Sequence, residues 1–239
     1  ATSTDDAVST ASVPGGTYFN FLTTPPAGGA PVLDNNNSPN NWVLDVNRAN
    51  AKALGLLADS PSIADAEITF SNQFAWDFDP SNGIMANTYD FVGVATHEIG
   101  HALGFVSGVD TVDYFSGPGG PGGQLDLNPY RVFSVLDLFR YSSTGVHNLA
   151  VGGNPYFSTD NGLTSIATFS TSSFNGDGRQ ASHWKDNLGL GVMDPTLGKN
   201  ELAVIKENDL RAFDVIGWNR VQAAVPDGTA TLPILFLPT

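Results

Sequence analysis

His97 and His101 lie four residues apart in a stretch with helical apolar periodicity, and Glu98 stands between them. A step of four residues advances a helix by about one turn and returns to nearly the same face. Residues 89–103 therefore read as a helix that turns both imidazoles toward one point. Thr88 is its expected cap, Asp90 an acid in its first turn, and Val92, Ala95, Ile99 and Leu103 its expected buried stripe. Gly104 falls where a left-handed residue ends a helix. Neutral imidazole nitrogens ligate zinc at ~2.0–2.1 Å. Glu98, rotated about 100° from His97, stands close to such an ion without ligating it, where a general base belongs. With four His and four Glu in 239 residues, chance gives this spacing with a probability on the order of 10⁻³, so the mechanistic reading outweighs coincidence.

Two imidazoles leave a catalytic zinc one protein ligand short. The remaining histidines are His147, in a polar loop, and His183, beside Trp184. His183 is the favoured third ligand. Ten residues beyond it, Gly191-Val192-Met193-Asp194-Pro195 reads as a tight turn with a buried-type Met. His147 reads as a solvated loop residue. Asp110 and Asp113 stay open as rivals for the third position, and Glu201 and Glu207 are the downstream carboxylates.

The chain has no cysteine, which excludes a disulfide scaffold, a thiolate metal site and a Cys nucleophile. Ten Lys and Arg against 24 Asp and Glu give a net charge of −14. Nucleic acid and anionic membrane surfaces both select basic patches, so neither is an expected partner. Charged residues make up only 14%, well under the ~25% of ordinary soluble domains, and the composition looks like that of an exoprotein. No apolar run approaches the ~18 residues of a membrane span. The chain opens at Ala1 without a basic-then-apolar leader; if it is exported, that signal is already gone.

Along the chain, 1–41 is a turn-rich segment with a strand expected over 18–22. Spacings of three and four predict a helix over 46–57, and alternation predicts a strand over 63–70. Residues 105–182 form a long insert with a glycine-rich stretch at 116–123, read as part of a lid, and a strand-like piece at 165–169. A short helix is expected over 208–218, and 219–239 read as a tail. Asp77, Asp79 and Asn82 cluster oxygens in one turn, and Asp34 with Asn35, Asn36 and Asn37 in another. Both are calcium candidates, although Asx turns capping their own backbone explain the same residues.

The phrase His97-Glu98-Ile99-Gly100-His101-Ala102-Leu103-Gly104-Phe105 resembles the active-site helix of the metzincin zinc metalloproteases. In that family the motif runs on to a third His three residues after the Gly; Ser107 stands there instead. The leishmanolysin-like branch breaks the motif in the same way, with a long insert, a remote His and then a Met-containing turn. His183 and Met193 match that order, and 209–218 resembles the closing helix of bacterial secreted relatives. The Tyr that some metzincins place two residues after the Met is Pro195 here. The resemblance covers roughly 42–218. It implies an α+β, metzincin-like zincin fold: a twisted, mostly parallel sheet with backing and active-site helices, above an irregular lower subdomain ending in a helix. The upper subdomain would be 42–104 and the lower 105–218, with 1–41 packed on the catalytic domain. It further implies a monomeric, secreted or cell-surface bacterial endopeptidase. Zinc would be held by His97, His101 and His183, Glu98 would act as base and then acid, and Gly104 and Met193 would give structural support. The run 224–237 faintly resembles the start of a bacterial Pro-Glu-Pro sorting signal. Two other classes stay open: a non-catalytic exoprotein or adhesion module on a zincin scaffold, and a zinc hydrolase of a non-peptide amide or ester.

Overall fold

The computed structural model describes residues 43–59, 62–116, 119–123, 126–127, 129–221 and 235–238. The expected strand over 18–22 and the candidate turn from Asp34 to Asn37 lie outside them. In chain order the helices are α1 (Arg48–Ala53), α2 (Phe91–Leu103), α3 (Val109–Ser116) and α4 (Glu207–Val215). The strands are β1 (Trp76–Asp77), β2 (Tyr89–Asp90), β3 (Arg140–Ser143), β4 (Val146–His147), β5 (Tyr156–Phe157), β6 (Ala167–Thr168), β7 (Trp218–Val221) and β8 (Leu235–Pro238). No helix among the described residues is long and apolar enough to cross a membrane.

The chain is a mixed α+β structure with small sheets. β1 and β2 pair in parallel, Trp76 opposite Tyr89. The largest sheet is antiparallel, in the order β4-β3-β5-β6, and β7 pairs antiparallel with β8. A mostly parallel sheet is therefore not what the described residues form. The expected strand over 63–70 enters no ladder. Only Asp65, Ile68 and Phe70 of this stretch are partly buried; Asp65 pairs with Lys52 at 2.8 Å, and the Phe70 ring packs edge-on to Phe91 at 4.9 Å. The strand-like piece at 165–169 does hold β6.

The expected helix over 46–57 shortens to α1 because Gly55, at φ +68°, turns the chain out of helical conformation. α3 was hidden inside the long insert, although Val109 and Val112, both fully buried, already carry a three-residue spacing. Beyond α3, the Gly122 N–H donates to the Tyr114 carbonyl at 2.9 Å and the Gly119 N–H to Asn175 Oδ1 at 2.9 Å. The described part of the glycine-rich stretch thus folds back on its own helix. α4 starts one residue before the expected helix and stops at Val215; Gly217, at φ +113°, releases Trp218 into β7.

The core lies between α2, α3, α4 and the antiparallel sheet. Phe105, Phe157, Phe169, Trp184, Met193 and Ile216 are fully buried there. Trp184 stacks on Phe169 at 4.9 Å and meets Phe105 edge-on at 4.9 Å. Arg140 is buried under the same ring cluster. Its guanidinium lies 4.9 Å from the Phe169 centroid and donates to the Ser170 carbonyl at 2.9 Å. Burial lowers its pKa to about 10, against the pull of Asp137 and Asp110.

Ser172 is a strained point in this core. It is fully buried at φ +122°, and its hydroxyl has no hydrogen-bond partner. Its backbone is held in place by the Arg179 carbonyl and the Gly178 N–H. Ser172→Gly removes both the strain and the orphaned hydroxyl. The expected gain is about 1 kcal/mol, or about 2–4 °C in Tm for a chain of this size. An unchanged or lower Tm in calorimetry would show that the backbone is not strained there.

Candidate metal centre

α2 starts at Phe91, not at the expected residue 89, and is capped by Asp90, whose carboxylate accepts the Gly93 N–H at 2.9 Å and the Ala203 N–H at 3.2 Å. Asp90, not Thr88, is the cap. The Thr88 hydroxyl instead donates to the Met85 carbonyl. The buried stripe also differs from expectation: Val92 and Ile99 are exposed, and Gly93 and Gly100 face inward. A Cβ at Gly100 would stand 2.5 Å from Met193 Sδ. The helix therefore lies directly on the Met193 turn, closer than an Ala, Val or Ile face would permit. Met193 is fully buried, in the hydrophobic core.

Gly104 takes the left-handed conformation at φ +119° and closes α2. Its N–H donates to His101 O, and that of Phe105 donates to Gly100 O, both at 3.1 Å. This turn swings the Phe105 carbonyl back to His101 Nδ1 at 2.7 Å. Asn47 steadies the same end, its side-chain amide donating to His101 O at 2.8 Å.

His183 arrives from the far side, one residue before the bridge between Phe169 and Trp184. Asp110, a rival for the third ligand position, anchors this loop instead. Its carboxylate accepts the Ala181 N–H at 2.6 Å, the Ser182 N–H at 3.1 Å and the Ser182 hydroxyl. Burial raises the Asp110 pKa, and these donors oppose the rise. Asp113 is likewise committed elsewhere, accepting from the Phe174 and Asn175 backbones.

The structure brings His97, His101 and His183 together. His97 Nδ1 lies 2.9 Å from the Val192 carbonyl, and His183 Nδ1 lies 3.3 Å from that of Gln180. With His101 on Phe105, all three Nδ1 atoms face carbonyls. A carbonyl only accepts, so each Nδ1 carries the ring proton and each Nε2 presents a bare lone pair. The Nε2 atoms are 3.0, 3.2 and 3.2 Å apart. Three converging lone pairs repel one another unless a cation sits among them. Tetrahedral ligands at ~2.0–2.1 Å from zinc are spaced about 3.3–3.4 Å apart, so the cluster fits a zinc-sized ion to within a few tenths of an ångström. Other first-row divalent ions also take imidazole. Burial lowers the pKa of His101, with repulsion from His97 adding to it. Burial, then the two neighbouring imidazoles, lowers that of His183 to about 3. Both rings are thus neutral near pH 7, the form that ligates.

The other candidates lie elsewhere. His147 is not a solvated loop residue. It sits in β4 with its ring 4.3 Å from that of Tyr141 and Nε2 2.9 Å from the Leu138 carbonyl, and burial lowers its pKa to about 4. Glu201 accepts the Gly198 N–H, and Glu207 pairs with Arg220. Asp77 accepts the Asp79 and Met85 N–H groups, one on each oxygen, which lowers its pKa. Asp79 accepts from Ser81 at the head of the 3₁₀ turn Pro80–Asn82. Both carboxylates thus cap their own backbone, the Asx-turn alternative to a calcium site for this turn.

Glu98 is half-buried where two cavities meet. One, of about 430 Å³, runs between α2 and 189–206, with Trp76, Tyr89, Val192 and Leu202 among its walls and His97 on its floor. The other follows 66–71 and reaches His101. Both include Phe74, Trp76, Val94 and Glu98. The cleft therefore passes over the His-bearing face of α2 with Glu98 at its middle, and its walls are largely aromatic and aliphatic. The backbone carbonyls that orient the rings gave no signal in the sequence. Asp110 and Asp209 stand in the first turns of α3 and α4, but no helix is expected at α3 from the sequence and neither acid is expected as an anchor. Comparison with known proteins gives no match, neither to a family model nor to a curated protein nor to a solved structure.

Proposed function

We propose that the protein is a zinc-dependent endopeptidase of metzincin-like, leishmanolysin-like type, secreted or exposed at a bacterial cell surface. The observation that carries this reading is the convergence of the His97, His101 and His183 Nε2 atoms, with His97 and His101 each lining one of the two cavities that Glu98 joins. His97, His101 and His183 would hold the ion, their rings fixed by the Val192, Phe105 and Gln180 carbonyls. When bound, zinc supplies a Lewis acid that polarises a carbonyl and makes a water acidic near neutral pH. The Glu98 carboxylate takes a proton from the attacking water and returns it to the leaving amine nitrogen. The apolar walls of the cleft bind the substrate's side chains, and the two-ended shape suits a chain that passes through.

The test is elemental analysis together with cleavage of a generic unfolded protein. One zinc per chain is expected, with activity lost to 1,10-phenanthroline and restored by added zinc. A zinc-loaded protein that cleaves nothing would overturn the peptidase reading in favour of a binding scaffold.

A further inference from the structure

We propose that Asp209 is the positioning residue of the metal centre, setting two of its three histidines from a helix that contributes no ligand. The inference rests on the reading that His97, His101 and His183 hold a metal.

Asp209 is fully buried in the first turn of α4. Its carboxylate accepts four hydrogen bonds, two per oxygen. Oδ1 takes the Trp184 indole N–H at 2.8 Å and the Met193 N–H at 3.3 Å. Oδ2 takes the Val192 N–H at 2.8 Å and the Lys206 N–H at 2.7 Å. These donors belong to three separate segments. Lys206 opens α4, Val192 and Met193 form the floor turn, and Trp184 adjoins His183.

Each connection ends at the cluster. Asp209 fixes the Val192 amide, and the carbonyl of the same residue holds His97 Nδ1. It fixes the Trp184 ring, whose backbone N–H donates to Met193 O at 2.9 Å, so the His183 segment and the floor turn are tied to each other as well. Gly191 marks how close this packing is: a Cβ there would collide with the Asp209 carboxylate. A carboxylate has no donor of its own, so it can gather four N–H groups where no neutral side chain can.

Asp209→Asn keeps the shape and turns one acceptor into a donor that faces two N–H groups. Partners that orient metal ligands typically contribute 10–100-fold in affinity. The variant's zinc dissociation constant, measured by chelator competition, is expected to rise by that factor. The visible absorption band of the cobalt-substituted protein should shift or weaken as His97 turns. A core variant such as Val112→Ala, with a comparable fall in Tm, should leave both readings unchanged. If Asp209→Asn does not fold, Trp184→Phe removes one of the four donors, with an expected rise of about tenfold, the low end of that range. Wild-type zinc affinity and an unchanged cobalt band in the variant that folds would overturn the proposal. Failure of the wild type itself to take up zinc or cobalt would instead remove the metal reading on which it rests.

Discussion

Replacing Glu98 with glutamine is expected to lower peptide hydrolysis by about 10²- to 10⁴-fold, the range attributable to a positioned general base, while zinc content stays at the wild-type level. Glutamine keeps the length and planarity of the side chain, so the junction of the two cavities keeps its shape. What it lacks is a carboxylate oxygen able to accept a proton from water and release it to the departing amine. Because Glu98 is not in the ligand cluster, metal content and activity should separate. A fall in kcat with little change in KM is the expected kinetic form, since the lost interaction acts in the transition state. Near-normal kcat in Glu98→Gln would remove Glu98 from the chemistry. Loss of zinc in the variant would make it a ligand or a partner of one.

His183→Ala should produce the opposite pattern, in which activity falls because the ion leaves. With two imidazoles remaining on α2, the metal keeps ligands from one helix only. The affinity loss should exceed the 10–100-fold typical of residues that merely orient ligands. Calorimetry makes the effect visible without substrate. An ion bound only by the folded state stabilises it by about 4 kcal/mol at a thousandfold excess over Kd, about 8–16 °C in Tm for a chain of this size. The wild type should show that rise on adding zinc, and His183→Ala at the same zinc concentration should show less than about a third of it. A variant that retains both zinc and full activity would send the search for a third ligand away from His183. Asp110 and Asp113 are poorly placed to replace it, since their carboxylates are occupied by the 181–182 and 174–175 backbones.

The sequence made α2 and its two histidines legible because a four-residue spacing has one geometric meaning on a helix. His183 and Met193 were legible by their order alone, and the structure brings His183 to the cluster and lays Met193 under Gly100. The face of α2 was not legible. Hydropathy ranks Val92 and Ile99 above glycine, whereas the floor turn lies so close that only hydrogen atoms fit at Gly100. The sheet was not legible either: strands of two to four residues are shorter than the window over which alternation can be seen. His147 misled for a related reason. Its polar neighbours suggested solvent, and only the pairing of β3 with β4 shows that it packs on Tyr141. The orienting carbonyls of Phe105, Gln180 and Val192 belong to every residue type equally, so no sequence pattern announces them.

The distance along the chain between the ligands has a consequence for how long a molecule survives. His97 and His183 are 86 residues apart, and the chain has no cysteine to staple that span. An ion held by both closes the loop as a disulfide would, and chain-entropy arithmetic puts such a closure at about 4–5 kcal/mol. The ion would then be a removable cross-link. A molecule that has lost it opens more readily, and an opened chain is what an endopeptidase cleaves. On the proposed reading, a mixed population clears itself: loaded molecules digest those that have lost their metal, and the surviving pool stays active without any separate quality control.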